Sequence, residues 1–417
     1  NSFIFSLTAT LELSETLSCL FRPFWTSEVP GVIITQREKQ HPAKQETRMK
    51  KTVKKIKGTH GIVCSLGRER NGYFGWPTVA RLDDGRLVVA SSGLRRWHVC
   101  PFGKTVVNFS EDDGRNWSPP LVINNSPLDD RDAGVVNLGS EKIMVTWFTS
   151  NTWKYLKGCR EKLGEPEIAS WSEALKGQCQ ANLAAWLDCW SLISEDGGKS
   201  WVGPFATPCN SPHGPIRLSS GALLYLGKKR IVQEPARPII CARSQDYRNW
   251  ELLGQVPVAE GTELRNYYEP DIVELPSGRL VGLIRVEQLK REEPDRGLIN
   301  FSLFQTESED GGQTWSVARP TGVYGSPPHL LLHSSGVLVC VYGYRRPPYG
   351  QRAMFSLDEG QTWDADWIIR DDGPDHDLGY PSSVEMPEGS IITVYYQKLA
   401  AEEKCSLLYT RWRLPSF

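Results

Sequence analysis

An all-β fold, a six-bladed β-propeller with four-stranded antiparallel blades, is what this 417-residue sequence predicts, on three observations. One apolar strand–turn–strand unit recurs six times at a spacing of about 50–60 residues, longer across the second unit, in the range of propeller blades. A second motif, Ser-x-Asp-x-Gly-x-x-Trp, recurs out of phase with the first. Glycine, proline and the 15 tryptophans are frequent, as suits short strands joined by tight turns.

The chain divides accordingly into residues 1–58, an N-terminal extension, and 59–417, the propeller. Residues 1–48 contain no Met, show no periodicity and end in a polar run, so they read as a poorly ordered tail or translated upstream sequence. Met49 then opens MKKTVKKIKGTHGIV, which reads like a natural start. The six units are GWPTVARLDDGRLVVASS from Gly75, RDAGVVNLGSEKIMVTWF from Arg131, PHGPIRLSSGALLYLG from Pro212, EPDIVELPSGRLVGLIR from Glu269, PPHLLLHSSGVLVCVYG from Pro327 and YPSSVEMPEGSIITVYY from Tyr380. Each is a short apolar strand, a polar turn and a second apolar strand, the inner hairpin of one blade. The second unit is followed by an insertion, about 152–190, whose stretch Trp171–Leu187 has helical character. It is read as packing decoration rather than a lid.

Composition excludes several function classes. Lys and Arg total 48 against 49 Asp and Glu, so neither a nucleic-acid nor an anionic-membrane partner is expected. No run approaches the ~18 apolar residues of a membrane span. The 10 cysteines follow no paired spacing, which predicts neither a zinc site nor a disulfide framework. Cys159, Cys179 and Cys189 of the insertion read as free thiols. No cofactor or metal is expected, and without a convincing signal peptide the location expected is cytoplasmic.

The repeated turn appears as SEDDGRNW at Ser110, SEDGGKSW at Ser194, SEDGGQTW at Ser308 and SLDEGQTW at Ser356, with a degraded copy, SQDYRNW, at Ser244. Asp and Ser side chains bond nearby backbone N–H groups, Gly takes the positive-φ position and Trp packs under the turn. These are Asp boxes, and from about 60 to 415 the sequence resembles the sialidase (neuraminidase) superfamily of six-bladed propellers. In that superfamily the boxes are peripheral and mark fold, not chemistry.

Strand starts in a propeller converge on the axis. The position at or beside the strand start in the six units holds Trp76, Asp132, His213, Glu269, His329 and Tyr380, a polar and ionisable set. The hairpin YYEPDIVELPSGRLVGLIR also brings Glu269 and Arg285 to one end of their sheet. DLGYPSSVEMPEGSIITVYY is similar to the superfamily's Tyr-bearing strand, and the Glu269–Arg285 hairpin to its Glu-then-Arg pair. The resemblance implies Tyr380 as nucleophile, Glu269 as its base and Arg285 as one of three arginines that hold the substrate carboxylate. A neutral phenol suits attack beside that carboxylate, which would repel an Asp or Glu nucleophile. Arg345 and Arg352 are the preferred candidates for a further arginine, from YGYRRPPYGQRAMFS, where Arg346 competes. His213 and His329 are read as sugar hydrogen-bonders or core histidines.

The first blade departs from the pattern. The superfamily's Arg-Ile-Pro strand start is here Gly75-Trp76-Pro77, and the loop that usually carries the acid, SSGLRRWHVCPFG, holds no carboxylate. Arg95 or Arg96 is a candidate to replace the arginine, and His98 or Asp132 to replace the acid. The function expected is a divergent retaining exo-α-sialidase acting on glycoconjugates. The alternatives are a glycosidase or lyase on another acidic sugar, and a non-catalytic glycan-binding propeller.

Overall fold

The computed structural model describes residues 54–156, 160, 163–229, 237–288 and 299–417. The bulk of the expected extension, and Cys159, lie outside the described residues. Within them the chain forms six antiparallel sheets around one axis, five of them built from strands consecutive in sequence. The inner strands are Tyr73–Arg81, Asp129–Gly139, the broken pair Cys209–Asn210 and Ile216–Arg217, Tyr267–Glu274, Pro328–Leu332 and Gly379–Glu385. Five blades have four strands; the third has five because His213 and Gly214 sit in the turn that splits its inner strand.

The sixth blade takes its outer strand from the other end of the chain. Gly58–Cys64 pairs antiparallel with Cys405–Trp412, so the ring is closed by backbone hydrogen bonds between first and last strands. Residues 54–58, expected in the extension, belong to this packed body: Ile56 is buried and donates its N–H to the Ile368 carbonyl at 2.9 Å.

Hydrophobic cores lie between neighbouring blades. Phe74 and Val89 of blade one meet Ile392 and Leu407 of blade six, and Leu226 of blade three meets Ile272 and Ile284 of blade four. Middle strands are covered on both faces by this stacking, which is why Leu87–Ala90 or Leu338–Tyr342 reads as an unbroken buried run rather than an alternating one.

The Asp boxes are satisfied as their chemistry demands. In the first, Ser110 Oγ accepts the Gly114 N–H at 2.8 Å, Asp112 accepts the Asn116 N–H at 2.8 Å and Trp117 Nε1 donates to the Gly114 carbonyl at 3.1 Å. Bonds from the Asn116 backbone and side chain hold the Asp112 carboxyl down to about 2. Asp196, Asp310 and Asp358 repeat this.

The insertion is helical, as expected, and splits into α1 (Glu165–Lys176) and α2 (Gln180–Trp186). Trp153, Trp171 and Leu183 bury their side chains with Leu128 and Phe102. Among the described residues no helix is long and apolar enough to cross a membrane.

Candidate active site

Four inner strands share a backbone feature that the pattern of residues alone does not disclose. Trp76, Asp132, Glu269 and Tyr380 adopt φ values of +54°, +51°, +47° and +49°. At each, the pairing with the second strand slips, between Gly75 and Thr78, Arg131 and Gly134, Tyr268 and Asp271, and Gly379 and Ser382. A left-handed conformation in a residue other than glycine costs on the order of 1–3 kcal/mol and persists only where the surroundings impose it. Bulges of this kind re-aim a side chain. The one-residue kink turns these four side chains toward a common site.

The centre of that site is a three-way contact between blades four and six. The Tyr380 hydroxyl donates to Glu269 Oε1 at 2.6 Å, and Arg285 Nη1 donates to Glu269 Oε2 at 2.6 Å and to the Tyr380 oxygen at 3.4 Å. Arg285 also grips Glu287, just past the end of the same strand, through Nε at 2.5 Å. Burial and the neighbouring Glu269 charge raise the Tyr380 phenol well above its ordinary value, so it stays protonated until Glu269 can take the proton. Burial works against the charge on Arg285, but Glu269 and Glu287 outweigh it and hold it cationic.

Asp132 is 6 % exposed, and its Oδ1 has no hydrogen-bond partner. Burial pushes its carboxyl up to about 7 against the pull of Arg131, with the Glu269 charge adding to the push. A carboxyl that keeps its proton near neutrality can donate as well as accept.

Two arginines flank the Tyr380–Glu269 pair. The Arg345 guanidinium stands 5.8 Å over the Tyr380 ring and 5.2 Å over Phe301, anchored by its Nη1 bond to the Ser326 carbonyl at 2.8 Å. Phe301 also carries the Arg285 guanidinium at 4.9 Å. On the other side Arg131 lies 4.0 Å over the Trp76 ring and donates to the His98 carbonyl at 3.1 Å. Burial opposes its charge, while Asp129 and Asp132 raise its pKa. The sequence reading passed over Arg131 although it opens the second unit, directly before Asp132. Glu287 was legible as well, two residues after Arg285 where the strand ends. Phe301 carries no pattern in the sequence.

Several candidates have other tasks. Arg95 is fully buried, with its guanidinium forked onto Asp129, where Nη2 reaches Oδ2 at 3.0 Å, and onto the His98 carbonyl at 3.0 Å. An arginine so engaged by a buried carboxylate is a strut and has no fork left for substrate. Arg96 is taken by the insertion, donating to Glu167 at 2.6 Å and Ser170 at 2.9 Å. Arg352 donates to the carbonyls of Pro348 and Arg370 at 3.2 Å each and stacks 4.4 Å over Tyr344, apart from the Tyr380 cluster. It sits on the third strand of its blade, away from the axis. Trp76 is 1 % exposed, so its role is to prop Arg131 and Arg95 on its ring rather than to meet substrate.

His213 and His329 lie deep on the axis, apart from the Tyr380 cluster. Their rings meet edge to face at 4.9 Å, and with Asp271 they line an axial cavity of about 370 Å³ whose walls include Thr78, Asn137 and Arg217, and none of Tyr380, Glu269 or Arg285. Burial pushes His329 down to about 3 and, with the His329 charge, His213 well below its ordinary value, so neither carries a proton for catalysis near neutral pH. His98 stands at the rim: its side chain is 43 % exposed, and its ring packs 5.1 Å from Trp76.

Residues 167–393 match the family model of the BNR repeat-like domain. No curated protein matches the sequence. Among solved structures, the fold is similar to a protein of unknown function from Dyadobacter fermentans DSM 18053, with TM-score 0.65 and 21 % identity over 85 % of this chain and 98 % of that one. It is similar to the Hadza microbial sialidase Hz136, with TM-score 0.60 and 15 % identity over 85 % of this chain and 68 % of that one. The intramolecular trans-sialidase from Ruminococcus gnavus aligns with TM-score 0.57 and 14 % identity over 85 % of this chain and 97 % of that one. At these identities the likeness is one of fold, a fold that glycoside hydrolases use.

Proposed function

Because the chain belongs to the BNR repeat-like family of sialidase-like propellers, we propose that it is a retaining exo-glycosidase that releases a terminal acidic sugar of the sialic acid type from glycans. The observation that carries the reading is the 2.6 Å bond from the Tyr380 hydroxyl to Glu269, made between two strained residues of different blades. A glycan-binding module has no use for a phenol paired with a base in this way.

The substrate carboxylate is held among Arg131, Arg285 and Arg345, whose planar guanidinium forks suit it. Tyr380 Oη then attacks the anomeric carbon while Glu269 accepts the phenolic proton. The glycosidic C–O bond breaks, and the departing oxygen takes a proton from a group at the rim or wall of the site. In the second half water attacks the anomeric carbon, the Tyr380–carbon bond breaks, and Glu269 returns the proton to the phenol. The proton lost by water restores the acid. Two inversions leave the configuration retained.

A second acidic sugar, a uronic acid, is favoured by one feature. Trp76 stands where the resembled superfamily carries its first arginine, and Arg131 enters from the next blade instead, which redirects one side of the carboxylate site. The test is turnover of fluorogenic α-sialosides and uronides side by side, with NMR of the first sugar released. Sialoside turnover with retention supports the reading; uronide turnover alone moves the substrate assignment; turnover of neither overturns it.

A further inference from the structure

Asp377 lies in the loop before the inner strand of blade six, and the Tyr380–Glu269 chemistry leaves it without a task. Its Oδ1 accepts the Tyr73 hydroxyl at 3.0 Å and lies 2.9 Å from His98 Nδ1, with Tyr73 Oη also 2.9 Å from that nitrogen. A carboxylate only accepts, so the His98 proton resides on Nδ1 and Nε2 is the nitrogen left for other work. The backbone of His98 is pinned as well, its carbonyl accepting Arg95 Nη2 at 3.0 Å and Arg131 Nη1 at 3.1 Å. Trp76 touches both His98, at 5.1 Å, and Tyr380, at 6.3 Å between ring centroids, so the imidazole and the phenol share one neighbour. The ring and the backbone of this partly exposed loop histidine are thus fixed from four sides. Here it stands on the first-blade loop that holds no carboxylate.

We propose that His98 and Asp377 form a dyad that delivers the proton to the leaving-group oxygen, with Asp377 as the positioning residue. The inference rests on the retaining-glycosidase reading above. As the glycosidic bond breaks, the Nε2–H of the His98 imidazolium passes its proton to the departing oxygen, leaving a neutral imidazole whose Nδ1–H stays on Asp377. When water attacks the glycosyl–Tyr380 intermediate, the same Nε2 takes the water proton and the dyad is restored.

The charged groups facing the ring are Asp377, Arg95 and Arg131, with the Tyr73 hydroxyl beside them. Burial and the two arginines lower the His98 pKa, and Asp377 opposes them. Catalysis needs the protonated ring, which is present below that pKa and lost as pH rises through it. An acidic optimum follows, and Asp377→Asn moves the alkaline limb to lower pH.

The experiment compares two α-sialosides on the full chain, one with an activated aryl leaving group and one with an unactivated sugar. An aryl oxide departs with little help, whereas a sugar alkoxide requires the proton. Asp377→Asn and His98→Gln are expected to cut kcat/KM on the sugar-linked substrate roughly 100-fold or more and on the aryl substrate by less than about 10-fold. Equal losses on both, or a leaving-group-dependent loss in Asp377→Ala that Asp377→Asn does not share, overturn the dyad. So does the leaving-group pattern appearing in Asp132→Asn in place of His98→Gln. A second readout needs no turnover: ¹⁵N NMR of the His98 ring is expected to show the Nδ1–H tautomer and a lower pKa in Asp377→Asn. An unchanged His98 titration overturns the dyad. If wild type turns over neither sialoside, the sialoside assignment fails by itself and the NMR result still judges the dyad.

Discussion

The Tyr380 hydroxyl and Glu269 Oε1 are 2.6 Å apart although 111 residues separate them in the chain. Each is held at positive φ by a bulge in its own blade. Their contact is a property of the ring, not of either strand.

Removing the phenolic oxygen therefore tests the centre of the site without disturbing the fold. Tyr380→Phe keeps the ring against Trp76 and Tyr396, at 6.3 and 5.9 Å. We expect kcat/KM to fall at least about 100-fold while the melting temperature stays within a few degrees. Retained turnover with an unchanged product anomer would remove Tyr380 as nucleophile.

Arg131 and Arg352 separate the two tasks an arginine has here. Arg131→Ala removes a guanidinium that faces the Asp132–Tyr380 cluster, and a charge-assisted contact of this kind corresponds to roughly 10- to 100-fold in kcat/KM. Arg352→Met replaces a guanidinium bonded to the carbonyls of Pro348 and Arg370. Its expected effect is on melting temperature, with kcat/KM unchanged within about 2-fold. Steady-state kinetics and melting curves on both variants decide it, and the reverse pattern would return Arg352 to the site.

Asp132 gives a prediction for stability against pH. Burial raises its carboxyl to about 7. The folded protein then holds a proton that the unfolded chain releases in the ordinary carboxylate range. This contribution favours folding below that range and is lost as pH rises through about 7. Asn has the same shape, no charge and a tolerance for positive φ. Asp132→Asn should melt several degrees above wild type at pH 8, with the gap closing toward pH 5. Parallel melting curves across that window would mean that Asp132 is not a buried, proton-holding group.

Arg95 and Asp129 are both 0 % exposed and bonded through two pairs of atoms. Removing one partner strands the other charge. Arg95→Met is expected to cost about 3–5 kcal/mol of stability in denaturant unfolding, and Asp129→Asn in the same background to recover part of it. A loss under about 1 kcal/mol would show that the pair is dispensable as a strut.

The recurrence of one strand–turn–strand unit and of the Ser-Asp-Gly-Trp turn made the six blades legible, because both rest on local physics: side-chain alternation, a glycine at positive φ, an aspartate satisfying its own turn. Glu269 and Arg285 were legible together for the same reason, since a hairpin brings its two ends together. Whatever depends on contacts between blades was not. That Arg131, rather than Arg95 or Arg352, reaches the Tyr380 cluster depends on which guanidinium a buried aspartate or a set of carbonyls has already engaged. His213 and His329 share the strand-start pattern with Glu269 yet sit below it, because only Trp76, Asp132, Glu269 and Tyr380 kink at the bulge. Asp377 is one of several aspartates in DDGPDHD, and nothing local distinguishes it from Asp375. Its place beside His98 arises when the last blade closes against the first, a packing event between segments 279 residues apart.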